Sequence, residues 1–154
     1  MTTHIMSLTY MPKIGPVKRG ECTQTVRLLA GPGEILPDDT KRLKRVGDEI
    51  LLHTWEGVPY RSRWDWRQRY ILSEVLVIYC DPDGMWRWSP LDPVHGDDWE
   101  CLPISNTTLL DIVQRDHIDP PTILEWERTL SSLNGFQDLG DTDWQVLRWK
   151  EVVP

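Results

Sequence analysis

Tyr70-Ile71-Leu72-Ser73-Glu74-Val75-Leu76-Val77-Ile78-Tyr79 is the most apolar stretch of the chain. Its β-branched and aromatic content predicts a strand. Asp81-Pro82-Asp83-Gly84 follows as a turn signal, and residues 85–89 read as a brief strand. Upstream, residues 61–70 alternate arginine with aromatic residues, and Val46-Gly47-Asp48 turns into a strand over 49–55. Residues 7–10 read as a short strand, and residues 14–19 as a short helix with Pro12 ahead of it and Gly20 closing it. Residues 22–28 read as a further strand, and 31–40 as a loop rich in Gly, Pro and Asp. Ser105-Asn106-Thr107 caps a helix running to about Arg115, with Leu109, Leu110, Ile112 and Val113 on one face. A second helix starts at Pro120 or Pro121, carries Ile123, Leu124, Trp126, Leu130 and Leu133, and stops at Asn134-Gly135. Residues 143–153 alternate as a closing strand. Short strands and helices without a βαβ rhythm predict an α+β fold, mainly β: a small β-barrel with short helices packed on it.

At 154 residues, 40% hydrophobic and 27% charged, the chain fits one domain over 1–154 with an exposed excursion at about 81–103. Mean hydropathy is −0.43 and no run is long and apolar enough to span a membrane. The start lacks the pattern of a signal peptide, so a cytoplasmic location is expected. Cys22, Cys80 and Cys101 are widely spaced with no C-x-x-C pair, which argues against a disulfide framework and against a thiolate zinc site. Net charge is −7, but residues 1–70 hold 12 Lys/Arg against 8 Asp/Glu, while 71–154 hold 5 against 16. A polyanion should therefore meet the N-terminal half. Nine Trp against one Phe suggests that some indoles face a ligand or cap a barrel.

Thr23, Thr25 and Arg27 alternate along a strand and would share a face offering hydroxyls and a guanidinium. The segment 53–69 interleaves arginines with aromatics. If 61–69 is extended, Arg61, Arg63, Asp65, Arg67 and Arg69 take one side and Ser62, Trp64, Trp66 and Gln68 the other. Such a mixture suits single-stranded nucleic acid, and equally a strand with a packed Trp face and a solvated Arg face. Cys22 is either a nucleophile activated by Lys18 or Arg19, or a buried small hydrophobe. Asp116-His117 is either an acid and base pair or an ordinary helix end. Lys41-Arg42-Leu43-Lys44-Arg45 is a basic loop cluster. Asp81, Asp83, His95, Asp97 and Asp98 read as loop solubility, so no metal site and no cofactor are expected. Trp86, Trp88 and Trp99 in the acidic excursion offer anchors for a protein partner. The P-loop, Rossmann, H-E-x-x-H and G-x-S-x-G patterns do not occur.

Lys18-Arg19-Gly20-Glu21-Cys22-Thr23-Gln24-Thr25-Val26-Arg27, with Val46-Gly47-Asp48-Glu49-Ile50 and Val146-Leu147-Arg148-Trp149, resembles the ASCH family of PUA-like barrels. The pattern there is roughly G-x-K-T-x-T-I-R, a spacer, and a G-D turn entering a strand. The order of elements fits from about Leu8 to Val152. The resemblance implies a cleft that accepts single-stranded RNA or a modified nucleoside, formed by the 22–28 strand and the 53–69 segment. Its expected ligand-binding residues are Lys18, Thr23, Arg27, Trp55, Tyr60, Arg61, Arg63, Trp64 and Arg67. Some small members resemble the bacterial N4-acetylcytidine amidohydrolase, which implies a catalytic Lys, Thr and acidic residue. By position these fall on Cys22, Thr25 and Asp116, so the lysine is missing. Binding without turnover, hydrolysis of an acylated nucleoside, metal-dependent RNA cleavage and protein interaction all stay open as functions.

Overall fold

The computed structural model describes residues 2–34, 43–96 and 102–154. Lys41, Arg42, Asp97, Asp98, Trp99 and Cys101 lie outside them, with the expectations attached to them. The elements are β1 (Thr3–Ser7), α1 (Met11–Lys18), β2 (Gln24–Ala30), β3 (Glu49–Trp55), β4 (Trp64–Cys80), β5 (Trp86–Trp88), α2 (Asn106–Arg115), α3 (Ile123–Asn134) and β6 (Thr142–Val153). The fold is α+β and mainly strand, as expected. Among the described residues, no helix is long and apolar enough to cross a membrane.

The apolar stretch 70–79 and the Arg/aromatic stretch before it form one 17-residue strand, β4. Its first half pairs with β3 and its second half with β6. Register shifts at Ile71/Leu72 and Leu72/Glu74 bend it where it passes between partners, as extra residues in a ladder do. The sheet order is β1-β3-β4-β6-β2, with β1 parallel to β3, the other pairs antiparallel, and β5 added to β4. β1 and β2 end the path unpaired with each other, so the expected barrel is a curled half-barrel with an open seam.

Inside the curl, Leu29, Ile50, Leu52, Tyr70, Leu72, Val77, Leu147 and Trp149 form one core, plugged by Val17 of α1. Against the other face, α2 and α3 bury Ile112, Val113, Trp126 and Leu130 on Val26, Ile78, Trp144 and Val146. β6 feeds both cores by its period of two. Arg148 ties the layers: it donates to Gln24 Oε1 (2.9 Å), Glu74 Oε1 (2.5 Å) and Asp111 Oδ2 (3.3 Å).

Helix ends follow the sequence closely. Ser105 Oγ accepts from the Thr108 amide, Thr122 Oγ1 from the Glu125 amide, and Gly135 closes α3 at φ 72°. Leu110, Leu124 and Leu133 are exposed rather than in the core. Two boundaries also move. The first strand is Thr3–Ser7 instead of 7–10, because it needs the ladder of β3. α1 starts at Met11 instead of Ile14, because Pro12 fits a first helical turn.

The excursion is less exposed than expected. Trp86 and Ser89 are buried, and Asp92 turns inward to accept from the amides of Val77 (2.7 Å), Val94 (3.0 Å) and His95 (2.7 Å). Trp86 packs in the helix-side core and Trp88 stacks on His95 at 3.7 Å. The burial of Trp86 corrects the expectation of an exposed aromatic anchor there, since its indole is held by core packing.

Burial lifts the Asp143 carboxyl to about 6; a hydrogen bond from Ser89 Oγ opposes this and Asp141 adds to it. The native state thus holds this proton more tightly than the unfolded chain. The resulting stabilisation is full below the ordinary carboxylate value and is lost as pH rises through about 6. Asp143→Asn keeps an acceptor for Ser89 and removes the ionised form. We expect it to gain about 1–2 kcal/mol at pH 7.5, after allowance for solvent screening, and nothing at about pH 3. Urea unfolding of both proteins at the two pH values checks this; a gain of equal size at both would contradict it.

Candidate functional site

The seam between the sheet's two edges is where polar side chains collect. Arg27 of β2 crosses it, donating from Nη2 to the Ser7 carbonyl of β1 (2.8 Å) and from Nε to Thr25 Oγ1 (3.1 Å). α1 connects the two edge strands in sequence and presents Lys13 to the same place. Lys13 and Val17 lie four residues apart and are both buried, as one helix face requires.

Lys13 Nζ donates to Asp116 Oδ1, and Trp126 Nε1 donates to Asp116 Oδ2 at 3.2 Å. Asp116 caps the C-terminal end of α2 and is 2% exposed. A carboxylate is unfavourable there, because the last carbonyls of a helix already carry negative charge and burial removes water. A cation is therefore required, and Lys13 provides it from 103 residues away.

Lys13, Thr25, Arg27 and Asp116 line one cavity of about 130 Å³ together with Ser7, Thr9, Tyr10, Thr129 and Asn134. A cavity of ~150 Å³ admits one benzene ring, so this space suits a single six-membered ring. Burial pulls the Arg27 guanidinium below its ordinary value, while Asp116 and Tyr60 raise it.

An aromatic cluster is built around His53, the register partner in β3 of Ser7, whose carbonyl Arg27 contacts. His53 and Trp55 of β3 meet edge to face at 5.0 Å, Trp64 of β4 stacks on His53 at 3.9 Å, and Tyr60 tilts on Trp55 at 5.3 Å. The β3–β4 register shifts between Thr54 and Trp55, which pair with Trp66 and Trp64, leaving Asp65 as the extra residue. Thr54 Oγ1 donates to Asp65 Oδ1 and holds the bulge. Strict alternation would put Trp64 and Trp66 on one face. The bulge separates them: Trp66 packs on the inner core, and Trp64 joins His53 and Trp55. Burial and Arg27 both lower the proton affinity of His53.

Of the residues read from the sequence, Thr25, Arg27 and Asp116 come together. Trp55, Tyr60 and Trp64 gather in the separate cluster around His53, with which Arg67 pairs in register. Arg61 and Arg63 are exposed in the turn before β4. Lys18 and Thr23 lie elsewhere, in a groove with Trp66, Tyr70, Trp149 and Lys150, with Lys18 Nζ 5.6 Å from the Trp66 ring. Thr23 falls before β2 begins, so it does not share the face of Thr25. Cys22 is buried, its Sγ is 3.4 Å from the carbonyls of Gln24 and Arg115, and burial raises its thiol pKa. It is a core thiol rather than a wall of the cavity. Among the described residues no group of three His, Cys, Asp or Glu is placed to hold a metal ion.

Sequence reasoning missed Lys13, and it included His53 only as the first residue of the 53–69 segment, with no role of its own. The signal for Lys13 is Pro12, which starts the helix early enough to place Lys13 on the buried face with Val17.

Removing either partner of the buried pair strands the other. Lys13→Met and Asp116→Asn are each expected to cost about 3 kcal/mol, and the double variant at least 1 kcal/mol less than their sum. Denaturant unfolding of the four proteins measures the coupling; additive losses would contradict it.

Compared with protein-family models, curated proteins and solved structures, the chain has no significant match.

Proposed function

We propose that the protein binds one unstacked nucleobase, of a nucleoside or of single-stranded RNA, in the cavity of Lys13, Thr25, Arg27 and Asp116. The observation that carries this reading is a buried cation–carboxylate pair set in the wall of a one-ring cavity, beside a hydroxyl and a guanidinium. For stability alone, such a pair is often matched or bettered by apolar residues. At a cavity wall it supplies fixed donors and acceptors of the kind that the edge of a base presents. The exposed Arg61, Arg63, Arg67 and Arg69 offer contacts for phosphates, which add affinity without selecting a base. The resemblance to the ASCH family of PUA-like barrels supports the same ligand class.

Lys13 favours a second reading, hydrolysis of an N-acyl group from such a base. The lysine missing at position 22 is supplied by α1. Thr25 Oγ1 accepts from Arg27, which leaves its own proton free to be donated. In this chemistry Thr25 Oγ attacks the acyl carbonyl, and Asp116 takes the hydroxyl proton and passes it to the departing amine. Lys13 and Arg27 stabilise the oxyanion. Water then cleaves the threonyl ester, releasing a carboxylic acid and restoring the hydroxyl.

Thermal denaturation with cytidine and with N4-acetylcytidine tests both readings. Ligand at 100 times its dissociation constant adds ~2.7 kcal/mol, a rise of about 5–10 °C for a domain of this size. Arg27→Ala should weaken binding about tenfold. Thr25→Ala should abolish any release of acetate while the protein stays folded. No stabilisation by either compound would contradict the binding reading; stabilisation without acetate release would leave binding alone.

A further inference from the structure

Among the described residues, two buried side-chain atoms lack a hydrogen-bond partner: His53 Nδ1 and Trp55 Nε1. They belong to neighbouring rings, and His53 is only 4% exposed. An orphaned buried donor costs about 1–3 kcal/mol, and two in one cluster call for a group that satisfies them. Such a group reaches them only when a covering ring moves. Tyr60 packs on Trp55, is 83% exposed, and lies outside every strand at φ 65°, a left-handed conformation that tyrosine rarely adopts. It is the ring with room to give way.

Arg27 links this cluster to the cavity. On one side it holds Thr25, and on the other the carbonyl of Ser7, whose register partner in β3 is His53. Two of its five N–H donors are used in these bonds, which leaves others for a phosphate. A one-ring cavity, a guanidinium and a set of aromatic rings with unpaired polar edges therefore follow one another along the seam.

We infer that the site takes a dinucleotide step of a single strand rather than a lone nucleoside. One base enters the cavity, the linking phosphate meets Arg27, and the neighbouring base stacks on Trp55 in the place of Tyr60 with its polar edge toward His53 Nδ1, while the in-plane Trp55 Nε1–H donates to the sugar-phosphate chain. This rests on the nucleobase reading of the cavity and adds the second ring to it. Both bases are recognised without a duplex, because paired and stacked bases could not be separated across the guanidinium.

Calorimetric titration of the full chain with cytidine and with the dinucleotide cytidylyl-cytidine tests the inference. The dinucleotide should bind at least about tenfold more tightly, as one stacked base and one phosphate contact require. In Trp55→Ala the dinucleotide should bind no more tightly than cytidine does. In unsubstituted protein, the Trp55 indole N–H resonance, assigned from its loss in Trp55→Phe, should shift with the dinucleotide and stay in place with cytidine. Equal affinities with an unmoved indole would overturn the inference and leave the nucleobase reading standing. Failure of both compounds to bind would overturn the two together.

Discussion

Asp116 ends a helix with a buried carboxylate, and the site is organised around its need for a cation. Lys13 meets that need only if α1 lies in the seam of the half-barrel, and Trp126 meets the other oxygen only if α3 packs over α2. One carboxylate thereby joins the plug helix to the helix layer, and the cavity is the space left between them. Residues 25–28 of β2 all line it, Thr25 and Arg27 with polar groups and Val26 and Leu28 where the helix-side core meets it.

The open sheet is what leaves room for this arrangement. A closed barrel would pair β1 with β2 along their length and fill the space with a ladder. Here Arg27 makes a side-chain contact across the gap instead, and the rest of the seam is left to α1 and the cavity. The bends that curl the sheet come from extra residues in β4 and β6. A separate bulge at Asp65 turns Trp64 outward to the aromatic cluster while Trp66 stays in the core. Small departures from regular pairing thus decide which aromatic rings pack in the core and which join the cluster around His53.

Much of the fold is legible in the sequence where the signals are local. The Gly47-Asp48 turn and the apolar run after Asp48 mark β3, Ser105 and Asn134-Gly135 mark helix ends, and Asp81 to Gly84 marks the turn after β4. Thr25, Arg27 and Asp116 are legible as candidates because their residue types fit the chemistry. Their meeting is not, since β2 and the end of α2 are far apart in the chain. The pairing of Lys13 with Asp116 depends on tertiary contact alone, and nothing near Lys13 distinguishes it from a solvated lysine except the early helix start. Alternation misplaces Trp64 because a bulge leaves no mark in residue periodicity. Lys18 and Thr23 are misplaced for a related reason: Thr23 stands one residue before β2 begins, and with Lys18 it lines another groove.

Backbone amide mapping by nuclear magnetic resonance, with a short single-stranded oligonucleotide added to the whole protein, tests the central claim most directly. The account predicts that the largest shifts fall on Lys13, Thr25, Arg27 and Asp116 at the seam, and extend to the aromatic cluster of β3 and β4. Shifts confined to other surfaces, such as the groove of Lys18 and Trp66 or the segment around Trp88, would contradict it.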